Sequence, residues 1–363
     1  MPQVHLGTTL LAFAPAALRQ DIPAAAKMDW MLPHQDLWSV LSFYALRPEF
    51  VRQVEPIRGG WSGSRLWKVA DEAGREFCLR RWPTEHPTPE RLTFIHTVLR
   101  RVAVHLLVVP APLFSQSGAT FHQYGGRLWE LAPWMPGEAD FHSRPTRGKL
   151  RSAMNALARF HIAAPDRESK VGPAPAWLDR QRQANELVSG GLQQIEAAVM
   201  QPFDPALDTL AHRLLPLARE ALQRDLAARF ATIPPAVSLQ PAIRDIHHDH
   251  VLFTGDEVTG IIDFGAMRID SPLADIARLV GSLVGDDREA RQFALDTYAE
   301  LRQLSEADRQ VIGLLDETGL ILAAFNWLRW LYVERRDMGE VCPIVRRLEE
   351  ILKRLEARVQ RIL

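Results

Sequence analysis

The sequence predicts an α+β protein of two lobes, a small antiparallel β-sheet followed by a mostly helical remainder. Three observations predict it. Short strand-like segments separated by glycine or polar turns crowd into the first third: residues 53–56, 65–70, 76–82, 120–124 and 127–131. From Arg147 onward apolar residues recur at helical spacing, as at Leu150, Met154, Leu157, Ala158 and Ile162. The helical part is interrupted by a hairpin pattern, 251–253 and 258–262, with Asp245 before its first strand and Asp263 after its second.

Composition bounds the rest. The chain has 363 residues, 47% of them apolar, which is ample for two cores. Net charge is −1, with neither half strongly basic, so a nucleic-acid partner is not expected. Two cysteines, Cys78 and Cys342, lie in apolar sequence without CxxC spacing, which fits a reducing, cytoplasmic setting.

In chain order, residues 1–35 read as a poorly ordered arm, with Met28 as another possible start. The apolar run 5–18 lacks leading Lys or Arg and is broken by Gly7, Thr8, Thr9 and Pro15, unlike an export signal. Residues 36–44 form a short amphipathic helix. Between the first two strands stands Gly59-Gly60-Trp61-Ser62-Gly63-Ser64, whose glycines let backbone N–H groups approach phosphate oxygens. Such a loop can equally be a plain hairpin turn. The strand 77–82 carries Arg80, either a surface cation or a phosphate ligand. A helix over 89–104 follows, then the hairpin 120–131 around Gly125-Gly126.

Helices are expected over 147–163, 176–199, 204–229, 287–304, 311–333 and 344–363. The 311–333 helix is apolar enough to suggest a membrane span. Asp316, Glu317, Asn326 and Arg329 fall inside it, so a core helix is expected. The stripe Ile344, Leu348, Ile351, Leu355 and Ile362 predicts a packed terminal helix, or a coiled-coil contact that would make a homodimer.

Chemistry concentrates in Asp245-Ile246-His247-His248-Asp249-His250 and Asp263-Phe264-Gly265. Paired strands put their open ends side by side, so both carboxylates face one cleft. One can orient and deprotonate a hydroxyl while the other holds Mg²⁺ against nucleotide phosphates. A self-contained zinc site from the three histidines is a rival. If 248 and 250 run into the strand they share a face, and His247 points away.

This constellation resembles the aminoglycoside phosphotransferase and choline kinase-like family, within the protein-kinase-like fold. The likeness runs from about Val54 to Leu283. It implies a nucleotide-binding N-lobe over 36–135 and a helical C-lobe over 136–363, with the catalytic and metal-binding segment at 243–265. Asp245 matches the catalytic base and Asp263 the metal ligand. The loop containing Gly59, Gly60, Ser62, Gly63 and Ser64 matches the nucleotide cover. Arg80 stands at the phosphate-binding Lys position. The segment Ala132-Pro133-Trp134-Met135-Pro136-Gly137 resembles the interlobe linker, where the C=O of Pro133 and the N–H of Met135 would meet adenine. His161 and Asp275 match buried structural positions, Asp275 anchoring the catalytic loop backbone.

Five positions depart from the family pattern. Ile243-Arg244 replaces His-Gly, Arg80 replaces Lys, His96 stands nearest the helix Glu, and His250 replaces the metal-binding Asn. Imidazole suits Mn²⁺ better than hard Mg²⁺. The resemblance therefore implies an ATP- or GTP-dependent phosphotransferase using Mg²⁺ or Mn²⁺ and a small-molecule hydroxyl acceptor. A catalytically degenerate, pseudokinase-like nucleotide-binding scaffold is the rival. No run of carboxylates in 173–229 is dense enough for a polycationic antibiotic.

Overall fold

The computed structural model describes residues 34–57, 63–166, 170–224, 236–336 and 339–360. Residues 1–33 of the leading arm, loop positions Gly59, Gly60 and Ser62, the end of the expected 204–229 helix and Ile362 lie outside the described residues, and the last two arm positions already belong to a helix.

The first lobe is a five-stranded antiparallel sheet built from β1 (Val51–Ile57), β2 (Arg65–Asp71), β3 (Glu76–Arg81), β4 (His122–Tyr124) and β5 (Arg127–Pro133), in the order β1-β2-β3-β5-β4. Alternate residues of the central strands bury one face: Trp67, Val69, Phe77, Leu79, Trp129 and Leu131. Helix α1 (His34–Ser42) closes that face with Leu37, Val40 and Leu41. Helix α2 (Pro89–Ala103) starts where Thr88 accepts the N–H of Arg91. Its residues Ile95, Val98, Leu99 and Val102 enter the core of the second lobe, so α2 bridges the two.

The second lobe is helical. Helix α3 (Arg147–Ala163) is capped by Thr146 and matches the expected span. The helix expected over 176–199 is broken into α4 (Pro175–Glu186), a wide turn (Leu187–Gly191) and α5 (Leu192–Val199). The cause is local. Ser189 leaves helical geometry and Gly190 takes φ 126°, a region glycine enters without a Cβ clash. Helix α6 (Pro205–Gln223) follows an Asp204 cap.

Three short strands, β6 (Lys170–Gly172), β7 (Val237–Ala242) and β10 (Arg268–Asp270), form a small antiparallel sheet with β7 central. The expected hairpin is β8 (Val251–Thr254) and β9 (Glu257–Ile261). It is tied to the interlobe segment by Glu138, whose backbone exchanges hydrogen bonds of 3.0 and 2.9 Å with Phe253. Gly137 permits this approach at φ 102°; a Cβ there would meet the Phe253 carbonyl oxygen at 2.7 Å.

Helices α7 (Pro272–Val284), α8 (Arg288–Leu301), α9 (Glu306–Leu328) and α10 (Val341–Gln360) complete the lobe. The apolar helix α9, extended by a wide turn to Val333, is a core element: Leu320, Ile321, Phe325 and Leu328 are buried with α6 and α10. Its Asp316 is held by Arg291, Arg354 and Arg358. The stripe Ile344, Leu348, Ile351 and Leu355 of α10 is buried in the same core, so those side chains are not an exposed face for a coiled-coil dimer. Cys342, expected in apolar surroundings, is exposed, and both cysteines are free.

Candidate active site

The loop between β7 and β8 carries Asp245, and a buried carboxylate sets its shape. Asp275, at the start of α7, is 0% exposed and accepts the backbone N–H groups of Ile243 (2.6 Å) and Arg244 (2.7 Å). His161, also 0% exposed, lies 3.1 Å away through Nε2 and meets the Tyr298 hydroxyl at 2.9 Å. Burial pushes the His161 imidazole below its usual pKa, against the pull of Asp275. These are the structural positions expected for both residues.

Arg244 takes φ 73°, the left-handed region. The related family places glycine there, which enters that region freely; an arginine is strained by about 1–2 kcal/mol. Its guanidinium is bound to the fully buried Asp270 and, at 2.9 Å, to Asp179. The side chain thus fixes a conformation that its backbone alone disfavours. Asp245 projects from this turn half-exposed, and its carboxylate accepts a hydrogen bond from Arg278 of α7. The sequence had not marked Arg278; it stands one helical turn beyond Asp275, facing the same loop.

His247, His248 and His250 do not converge. Residues 248–250 form a single 3₁₀ turn, not strand, so the expected shared face of 248 and 250 is absent. His247 instead lies against His250 with ring centroids 3.8 Å apart and planes tilted by 40°, while His248 stacks on His142 at 3.8 Å and bonds Ser282. Asp249 is exposed and pairs with His247 and His248, not with His250. The three histidines therefore do not gather at one point; His247 and His248 stand instead with Asp249, one ligand atom of each lying within 4.8 Å of the others.

His250 faces both carboxylate-bearing segments. Its Nδ1 donates to the Asp245 carbonyl at 2.7 Å, which leaves Nε2 as the acceptor, 3.9 Å from Asp263 Oδ2. Burial, aided by the His247 ring, lowers the His250 pKa. Asp263 sits at the mouth of β9 with φ 60°. Burial opposes its ionisation, but Arg80 and then His250 outweigh it and hold its carboxyl below the usual range. One carboxylate oxygen and one imidazole nitrogen at this separation can share a divalent ion with bonds of about 2.1 Å.

Arg80 crosses from the sheet to this site. Its Nη1 donates to Asp263 at 3.3 Å, and its guanidinium stacks on Trp82 at 4.6 Å. The carboxylate partner expected from α2 comes instead from β5: Glu130 lies 3.7 Å from Arg80 Nε and 2.6 Å from His96 Nε2. His96 occupies the helix position, and Glu130 is its complement across the sheet. This exchange was hidden because Glu130 is legible only once β3 and β5 are paired at Arg80 and Glu130. Gly63 has φ 74° and Ser64 is buried beside β2. Pro133 ends β5 opposite Phe77, and the buried Met135 packs against Gly260 of the hairpin. Beyond the loop, a cavity of about 630 Å³ opens between α7, α9 and α10, bordered by Arg180, His247 and Arg278.

The fold is shared with solved phosphotransferases. An aminoglycoside phosphotransferase from Alicyclobacillus acidocaldarius aligns over 95% of both chains with a TM-score of 0.58 and 17% identity. Spectinomycin phosphotransferase, solved with ADP and spectinomycin, aligns over 90% of this chain and 98% of its own, with a TM-score of 0.61 and 12% identity. Amicoumacin kinase, solved with AMP-PNP and Ca²⁺, covers 92% of this chain and 96% of its own, with a TM-score of 0.60 and 14% identity. In sequence, the homoserine kinase of Ralstonia nicotianae is 24% identical over 71% of this chain and 75% of its own. That of Rhodospirillum rubrum is 25% identical over 77% and 82%. The family model described as "Phosphotransferase enzyme family" matches residues 53–310, and the chain belongs to that family.

Proposed function

We propose that the protein transfers the γ-phosphoryl group of ATP, or of GTP, to a hydroxyl group of a small molecule. The observation that carries this is His250, which touches the Asp245 loop with one ring nitrogen and faces Asp263 with the other, at 2.7 and 3.9 Å. Both carboxylate-bearing segments thus meet around one ring. Asp245 orients the acceptor hydroxyl and takes its proton. Asp263 and His250 hold a divalent ion, Mg²⁺ or Mn²⁺, which when bound offsets phosphate charge. Arg80 lies beside that ion site and donates to phosphate oxygens. The loop ending in Gly63 and Ser64, with Gly59, Gly60 and Ser62 before them, covers the phosphates, and the Pro133 carbonyl and Met135 N–H receive adenine. The ADP and AMP-PNP complexes of the structural neighbours and the hydroxyl acceptor of the homoserine kinases support this reading.

The degenerate scaffold is favoured by one observation, the pairing of Asp245 with Arg278, which occupies the base. Nucleotide calorimetry separates the two. The phosphotransferase reading expects Mn²⁺ or Mg²⁺ to tighten ATP-analogue binding by about tenfold or more. Metal-independent affinity supports the scaffold instead. His250→Asn replaces imidazole by an amide oxygen. The ratio of Mg²⁺- to Mn²⁺-supported turnover should then rise roughly tenfold. An unchanged ratio removes His250 from the ion site.

A further inference from the structure

We propose that Arg278 is the positioning residue of the base: by holding one carboxylate oxygen of Asp245, it aims the other at the acceptor hydroxyl. This rests on the phosphotransferase reading and adds to it a residue that acts only through Asp245.

One face of α7 grips the loop that carries Asp245. Residues three and seven positions along a helix from a given one lie on the same side. From Asp275 those are Arg278 and Ser282. Asp275 accepts the backbone N–H groups of Ile243 and Arg244. Ser282 Oγ accepts that of His248 at 3.0 Å and meets its Nδ1 at 2.8 Å. Between them, Arg278 donates from Nη2 to the Asp245 carboxylate. Asp275 and Ser282 thus fix where the loop runs, and Arg278 fixes where its reactive side chain points.

The pair leaves the base free to act. A carboxylate has two oxygens, and only Oδ1 is engaged. Among the described residues no other group donates to it, so Oδ2 is left to accept from a hydroxyl. The Asp245 side chain is 47% exposed and that of Arg278 37%, so both are reachable from the cleft. A guanidinium keeps its protons and cannot take the hydroxyl proton in place of Asp245.

Exposure also separates position from fold. Asp275 is fully buried and holds the turn from inside. A half-exposed ion pair contributes little to folding. What the Arg278 pair supplies is order. A free aspartate turns about its side-chain bonds, whereas one held oxygen leaves the other a single direction. A reacting group displaced by about 1 Å costs on the order of a hundredfold in rate.

The test is ATP turnover by the full chain in Mn²⁺, with L-homoserine, choline, D-glucose or water as acceptor. Arg278→Met should lower kcat by about 10- to 100-fold while the KM for ATP and the melting temperature stay unchanged. Arg278→Lys should recover part of the loss, since it keeps the charge but not the fork. In an Asp245→Asn background, Arg278→Met should change turnover by less than about twofold, because the group it aims is gone. An equal loss in both backgrounds would make Arg278 a general support of the fold and overturn the inference. Turnover unchanged by Arg278→Met overturns it too, as does a rise, which would make the pair a brake on the base. Failure of the underlying reading shows instead in the wild type, as ATP bound in Mn²⁺ with no turnover on any of the four acceptors, and the inference then falls with it.

Discussion

Asp263→Asn should lower turnover by about two to three orders of magnitude and abolish the effect of divalent ions on nucleotide affinity. Asparagine is the informative replacement because it preserves the backbone. Asp263 sits at φ 60°, where asparagine is tolerated and alanine is strained. The amide keeps shape and one acceptor but loses the charge that Arg80 and His250 face. Stability should change little, since the Asp263 side chain is 38% exposed and Arg80 keeps Glu130 as a second carboxylate partner. Paired measurements of melting temperature and turnover check this. A variant that melts as wild type, turns over as wild type and still responds to Mn²⁺ would remove Asp263 from the ion site.

Asp275→Asn should act through the fold. The carboxylate satisfies two buried backbone N–H groups with its two oxygens and also faces His161. An amide has one acceptor, and its NH₂ must point at a donor. Loss of one such buried acceptor, with the other contacts weakened, should cost roughly 3 kcal/mol. The melting temperature should fall by several degrees, and turnover should fall with it because the turn at Arg244 and Asp245 loosens. Unchanged melting by calorimetry would show that the loop holds its shape without Asp275.

Much of this architecture was legible in the sequence because its signals are local. Alternation marked the strands of the sheet, helical spacing gave 147–163 to the residue, and a carboxylate at each end of a hairpin marked Asp245 and Asp263. What escaped was long-range or steric. The break at Gly190 hides inside an unbroken apolar pattern, because a wide turn preserves the buried face on both sides. The 3₁₀ turn at 248–250 reversed the expected facing of the histidines. Glu130 and Arg278 could be found only by pairing, the first across β3 and β5, the second across a loop and α7. The positive φ at Arg244 was foreshadowed by the glycine of the related family, but the ion pairs that compensate for it come from Asp179 and Asp270, 65 and 26 residues away in sequence.

The most direct measurement of the central claim is ³¹P spectroscopy of ATP incubated with a panel of hydroxyl compounds, in Mg²⁺ and in Mn²⁺, using the wild-type chain beside Asp245→Asn. The account predicts a new phosphate-monoester resonance with at least one compound. It also predicts a rate about 10²–10⁴-fold lower in Asp245→Asn, with nucleotide affinity retained. Nucleotide bound by the wild type with no monoester in either metal, or monoester formed equally by both proteins, would contradict it.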